Sequence, residues 1–208
     1  MVRRQVTQRT VLYALIGAIA VAVALLLPAR ESCGPFPDSK NSAYVLPYPV
    51  GSAYRLSQGN CSSGGHSGDY KYAYDFAMPI GTTVTAIRGG VVAEIRMKFR
   101  DGQRGEAESN WLKVRHSDGT LAVYSHLTAN GALVKIGDAV ERGQPIALSG
   151  DSGNTGGIPH LHLHLSSCSE PVDCGTLPFT FSNAEAASDV LLPLHVYPAL
   201  PLSSMGHP

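Results

Sequence analysis

Between Leu46 and Ser166 the chain runs in short apolar or alternating stretches cut by glycine, the pattern of half-buried strands rather than helices. The stretches TTVTAI (82–87), VVAEIRM (91–97), WLKVR (111–115), LAVYS (121–125) and LHLHLS (161–166) are each predicted to be a strand. Gly81, Gly89-Gly90, Asp101-Gly102, Asp118-Gly119, Gly137-Asp138 and Gly143 fall between such runs, where turns place glycine. The fold predicted is mostly β, an antiparallel sheet or sandwich. Only NAEAASD (183–189) has a helical composition, and KFRDGQRGEAESN (98–110) reads as a long hairpin loop.

The ends of the chain are patterned differently. Arg3, Arg4 and Arg9 precede an uncharged apolar run from Val11 to Leu27, an export signal or membrane-anchor helix whose basic flank stays on the cytoplasmic side. Its 17 residues sit at the short end of the roughly 17–25 that span a bilayer, so length does not separate a cleaved signal from an anchor. Leu27-Pro28-Ala29 is a poor cleavage site and tilts toward an anchor. The organisation expected is residues 1–30 as signal or anchor, 31–45 as linker, 46–180 as the folded domain and 181–208 as an irregular, proline-bearing tail.

Charge and cysteine content narrow the function. The whole chain is formally neutral, but residues 1–30 hold four arginines and no acid, which leaves the exported part 12 basic against 16 acidic residues, net −4. No nucleic-acid partner is expected from such a balance. Four cysteines in an exported chain point to two disulfides, Cys168 with Cys174 and Cys33 with Cys61, since neither pair has the two-residue spacing of a zinc knuckle.

Two chemistries compete in SGDSGNTGGIPHLHLHL (149–165). Gly150-Asp151-Ser152-Gly153 is the tetrapeptide around a serine-protease nucleophile, and His66, Asp75 and Ser152 occur in chymotrypsin-like order. The flanks of His66 and Gly153 lack the remainder of that pattern, and a glycine-rich turn accounts for the tetrapeptide without catalysis. His160, His162 and His164 stand at every second position, so a strand would present all three on one face at intervals of about 6.6 Å. Three aligned imidazoles suit a metal, and a catalytic zinc takes three protein ligands with a fourth position for water. Candidates by residue type are His66, Asp69, Asp75, His116, His126 and the triplet; spacing alone does not choose among them.

Three separated segments, HSGDYKYAYDFAMPIGTTVTAIRGGVV, VRHSDGTLAVYSHL and KIGDAVERGQPIALSGDSGNTGGIPHLHLHL, together resemble the lysostaphin-like (LytM-domain) zinc metalloendopeptidases in that family's order, from about Gly65 to Ser166. The resemblance implies one catalytic Zn²⁺ held by His66, Asp75 and His162, with His126 and His160 as catalytic histidines. It places GDSG in the turn before the His-x-His strand and gives His116 a structural or surface role.

Eight residues separate His66 from Asp75 where three are common in the family, which keeps Asp69 as a rival ligand. His164 stands where many relatives have Glu, as a partner of a ligand or an ordinary sheet residue. The function implied is hydrolysis of peptide bonds in bacterial peptidoglycan, or of another extended peptide held in a groove rimmed by 98–110 and the Cys168–Cys174 segment. The implied location is exported, in the periplasm or cell envelope, with membrane contact only through the N-terminal segment. The alternative is a non-catalytic LytM-type module that binds and regulates other wall hydrolases.

Overall fold

A computed structural model of the protein describes residues 33–168, 174–186 and 188–201. The expected signal or anchor lies outside the described residues, and among those no helix is long and apolar enough to cross a membrane. One compact unit begins at Gly34. Its strands are β1 (Ala53–Gln58), β2 (Ala73–Ala77), β3 (Thr83–Thr85), β4 (Gly90–Arg96), β5 (Trp111–Arg115), β6 (Leu121–Ser125), β7 (Leu127–Ala132), β8 (Ala139–Val140), β9 (Pro145–Ser149), β10 (Leu161–Ser166) and β11 (Val196–Pro198). Eight of them form one sheet in the order β11-β1-β2-β10-β6-β5-β4-β8, and β3-β9-β7 form a second. Every strand pairing is antiparallel, as the alternating runs and short glycine turns predicted.

Alternation gives the large sheet two chemically distinct faces. Tyr74, Phe76, Leu112, Val114, Ala122, Tyr124, Leu161 and Leu163 point to the core, where they are fully buried. Asp75, Trp111, Lys113, Val123, Ser125, His162 and His164 occupy the intervening positions and line an open cleft on the other face. In β4 a bulge between Val92 and Glu94 adds one residue, so that Glu94 and Arg96 join the cleft face while Val92 remains in the core. Nothing in the alternation of VVAEIRM marks that bulge.

Three segments depart from expectation. Within the expected linker 31–45, residues 34–45 pack on the domain: Val45 is buried and its amide donates to the Ile87 carbonyl, and the Tyr44 ring meets Phe179 edge to face. The 183–189 stretch is not helical in its described part; Ala184 instead bridges to Ala199. The expected irregular tail supplies β11, which pairs with β1, and buries Leu191, Tyr197 and Ala199. Apolar residues spaced between prolines carry no periodicity, so only the fold shows what they cover. The Cys168–Cys174 disulfide is present, and among the described residues no cysteine is free.

Core packing is dominated by rings. Phe179 and Phe181 lie on Tyr74 at 5.1 Å between centroids in each case, and the Tyr74 hydroxyl donates to the Phe179 carbonyl. Such edge-to-face pairs add to the burial of the rings themselves. Phe181→Ala is therefore expected to destabilise the domain by about 3–5 kcal/mol in denaturant unfolding. A loss below about 1 kcal/mol would mean that this segment is not part of the cooperative core.

Candidate active site and metal site

Strand register assembles the cluster. Antiparallel pairing of β2 with β10 sets Asp75 opposite His162, and β10 with β6 sets His162 opposite Ser125. His66 reaches the same point from the loop after β1. There Gly64 and Gly65 adopt φ of +89° and +146°, conformations that L side chains rarely take, and they turn the chain so that His66 is buried against the sheet. His66, Asp75 and His162 each offer a ligand atom within 4.8 Å of the others, and these three could hold a metal ion. Asp69 is exposed in the 3-10 turn Gly68–Tyr70 and takes no part in that cluster.

Hydrogen bonds define the imidazole tautomers, because a carbonyl can only accept. His66 Nδ1 donates to the Gly59 carbonyl at 3.0 Å, leaving Nε2 as a bare lone pair. That Nε2 is buried without a hydrogen-bond partner, 3.2 Å from Asp75 Oδ1. A lone pair facing a carboxylate in a buried setting lacks a positive group between them, and a divalent cation supplies one. Asp75 Oδ1 also accepts from His162 Nδ1 at 2.9 Å. Burial alone would raise the Asp75 carboxyl, but the hydrogen bond and charge of His162 outweigh it and hold it well below the usual carboxylate range.

Outside this trio, His164 lies on the same face of β10, and its Nδ1 sits 3.1 Å from His162 Nε2. Burial, with the nearby His162, Lys113 and His66, pushes His164 well below its ordinary value, so it is neutral. It makes a hydrogen bond to a residue of the cluster rather than serving as an isolated sheet position. His116 is buried elsewhere, its Nδ1 donating to the Gly89 carbonyl.

His126 and His160 face each other with ring centroids 4.7 Å apart. His126 Nδ1 donates to the Ser152 carbonyl at 2.7 Å and His160 Nδ1 to the Ile158 carbonyl at 2.7 Å, so both Nε2 atoms are acceptors. His160 Nε2 is 3.8 Å from Asp75 Oδ2. His126 sits at the β6–β7 corner with φ +63°, a strained conformation of the kind that collects at functional sites. Burial first, and then His162 and His160, lower its pKa to about 3.

What holds His126 in place was not visible in the sequence. Asn110, fully buried, donates its side-chain amide to the carbonyls of Phe99 and Leu127, and its backbone amide donates to Ser152 Oγ. Ser152 Oγ in turn donates to the Leu127 carbonyl at 2.7 Å. Asp101 accepts from the Asp151 amide and the Thr128 hydroxyl, pinning the 98–110 insert to the GDSG turn. Gly150 permits this closeness, since a Cβ there would lie 2.4 Å from the Thr128 amide nitrogen. All but the Thr128–Asp101 bond run through backbone atoms, for which residue identity gives little signal.

Ser152 is thus buried with its hydroxyl engaged, and it braces the site rather than attacking a substrate. A serine-directed acylating reagent is expected to leave the mass of the protein unchanged. Ser152→Ala should cost about 1–3 kcal/mol of stability in thermal or denaturant unfolding, because Asn110 and Leu127 lose a buried partner. Stoichiometric acylation at Ser152 would restore the serine alternative.

An antiparallel two-sheet domain with a His–Asp–His cluster on its open face is the framework that the motifs resembled. The chain belongs to Peptidase family M23, whose description matches residues 69–174, half of its length. The peptidoglycan DD-endopeptidase ShyA of Vibrio cholerae is 37% identical over 140 residues, covering 65% of this chain and 30% of that protein. Lysostaphin of Staphylococcus simulans is 34% identical over 118 residues, covering 55% of this chain and 22% of that protein. The chain thus spans less than a third of the length of either relative. The solved structure of the deep-sea M23 metalloprotease pseudoalterin covers 69% of this chain and 80% of that one, with a TM-score of 0.50 and 20% identity, a likeness of fold alone.

Proposed function

We propose that the chain is a zinc-dependent endopeptidase of bacterial peptidoglycan, in which His66, Asp75 and His162 hold the ion and His126 and His160 move protons. The observation that carries this reading is the bare, buried His66 Nε2 set against the Asp75 carboxylate. The name of the relative ShyA supports the substrate class. An exported protein of the cell envelope, with residues 1–30 as signal or anchor, fits that substrate. Packing of residues 34–45 and β11 supports a catalytic domain wider than 46–180.

When bound, zinc polarises a carbonyl and lowers the pKa of a coordinated water to about 7. The remaining work falls to the side chains. His126 and His160, each with Nδ1–H held by a carbonyl, present Nε2 to accept a proton from the attacking water and pass it to the leaving amine. Protonated at Nε2, either ring donates to the oxyanion that forms as the peptide carbonyl becomes tetrahedral. His162 would hold the ion through Nδ1, the atom beside Asp75, which would leave its Nε2–H to donate to His164 Nδ1. His164 is a positioning residue in this scheme, fixing the ring of His162.

The zinc-loaded chain, incubated with purified peptidoglycan, is expected to release peptide fragments detectable by mass spectrometry, and His162→Ala to release none. Absence of release from walls of several cross-link types would sink the hydrolase reading in favour of a docking module.

A separate readout addresses His164. His164→Leu is expected to weaken zinc binding by roughly 10–100-fold in competition with a chromophoric chelator. His164→Glu, which can accept the His162 proton, should recover part of that loss. Equal affinities for wild type and His164→Leu would make His164 an ordinary sheet residue.

A further inference from the structure

The register that joins Asp75 to His162 continues across the sheet. His162 pairs with Ser125, Ser125 with Trp111, and Trp111 with Arg96, so one row of cleft-facing residues crosses β2, β10, β6, β5 and β4. The Arg96 backbone stands three strands from His162, about 14 Å along the row at the usual strand spacing. Its side chain reaches Ser109, whose Oγ lies 3.5 Å from His126 Nδ1, so the guanidinium stands within a few residues of an extended peptide held at the cluster.

Arg96 is prepared as a ligand-binding group. Its Nε donates to the Ser109 carbonyl at 2.9 Å, and its guanidinium carbon lies 5.0 Å from the Trp111 ring centre and 5.6 Å from that of Phe99. The backbone bond and the rings fix the plane of the fork while the side chain lines the cleft. Among the described residues no carboxylate pairs with Arg96. Neighbouring Lys113 is paired with Glu94 at 3.3 Å, and Glu106, a carboxylate that also lines the cleft, makes no ion pair with Arg96. A planar guanidinium with free donors and restricted rotation matches a carboxylate, which it can bind through two parallel hydrogen bonds.

We propose that Arg96, stacked on Trp111, forms a subsite that binds a free carboxylate of the peptide substrate within a few residues of the bond that is cut. The inference rests on the peptidase reading and deepens it by assigning a substrate feature. A peptide can offer that carboxylate at its C-terminus or on a side chain, and both satisfy the same fork.

Trp111 is the only tryptophan in the chain, so its fluorescence reports on this subsite without any turnover. The full chain, freed of metal by chelation, would be titrated with synthetic cross-linked stem-peptide dimers in which each free carboxylate in turn is replaced by its carboxamide. One replacement is expected to weaken binding by roughly tenfold or more, the scale of a charge-assisted pair, and its position names the C-terminal or side-chain source. In Arg96→Gln the ratio between carboxylate and carboxamide peptides should fall to near one. Arg96→Lys, which keeps the charge but loses the fork, should give an intermediate ratio and guards against misfolding of the first variant. Equal binding of all peptides by the wild type, or an undiminished ratio in Arg96→Gln, would overturn the subsite. Carboxylate-dependent binding without cleavage by the zinc-loaded chain would leave the subsite standing and sink the peptidase reading instead.

Discussion

The Asp75 carboxylate, buried between His66 and His162, is the contact on which the site depends. A carboxylate withdrawn from water is costly unless its charge is answered, and here a His162 hydrogen bond at 2.9 Å answers part of it, while the bare His66 Nε2 at 3.2 Å leaves room for a cation to answer the rest. The arrangement is only as good as the pairing of β2 with β10, because the two side chains meet through strand register. A slip of one residue would turn Asp75 into the aromatic core and Tyr74 or Phe76 into the cleft. Core and site therefore enforce the same register: the rings of Tyr74 and Phe76 anchor the strand that presents Asp75.

A second layer of order comes from the 98–110 insert. Long loops often move, but this one is tied to the GDSG turn by Asn110, Asp101 and the Arg104–Asp151 ion pair at 3.1 Å. The tie fixes the Ser152 carbonyl, the carbonyl selects the Nδ1–H tautomer of His126, and the free Nε2 faces the cleft. The same insert supplies Phe99 and Ser109 around Arg96. One loop thus orients both His126 and Arg96, and Ser109 touches the two side chains at once.

Membership of family M23 accounts for the framework, and the departures from its common pattern have local physical explanations. Eight residues between His66 and Asp75 make room for a 3-10 turn at Gly68–Tyr70, which leaves Asp69 exposed. The His164 imidazole can either donate or accept, so its bond to His162 Nε2 survives whichever nitrogen of His162 carries the proton.

The sequence by itself determined the strands and the candidate chemistry. Period-two alternation in WLKVR, LAVYS and LHLHLS reproduced β5, β6 and β10 residue for residue, because one face of each strand must be apolar. It also supplied the histidines and Asp75 as candidates, since few other residue types bind metal or move protons near neutral pH. Tertiary structure decided which of them meet. It brought His66, Asp75 and His162 within reach, left Asp69 and His116 aside, and drew residues 34–45 and β11 into the domain. It also put Arg96 in the row of His162 through a bulge that no alternation reveals. Those outcomes rest on register, backbone carbonyls and packing of residues far apart in the chain, which are properties of the assembled sheet and of no single segment.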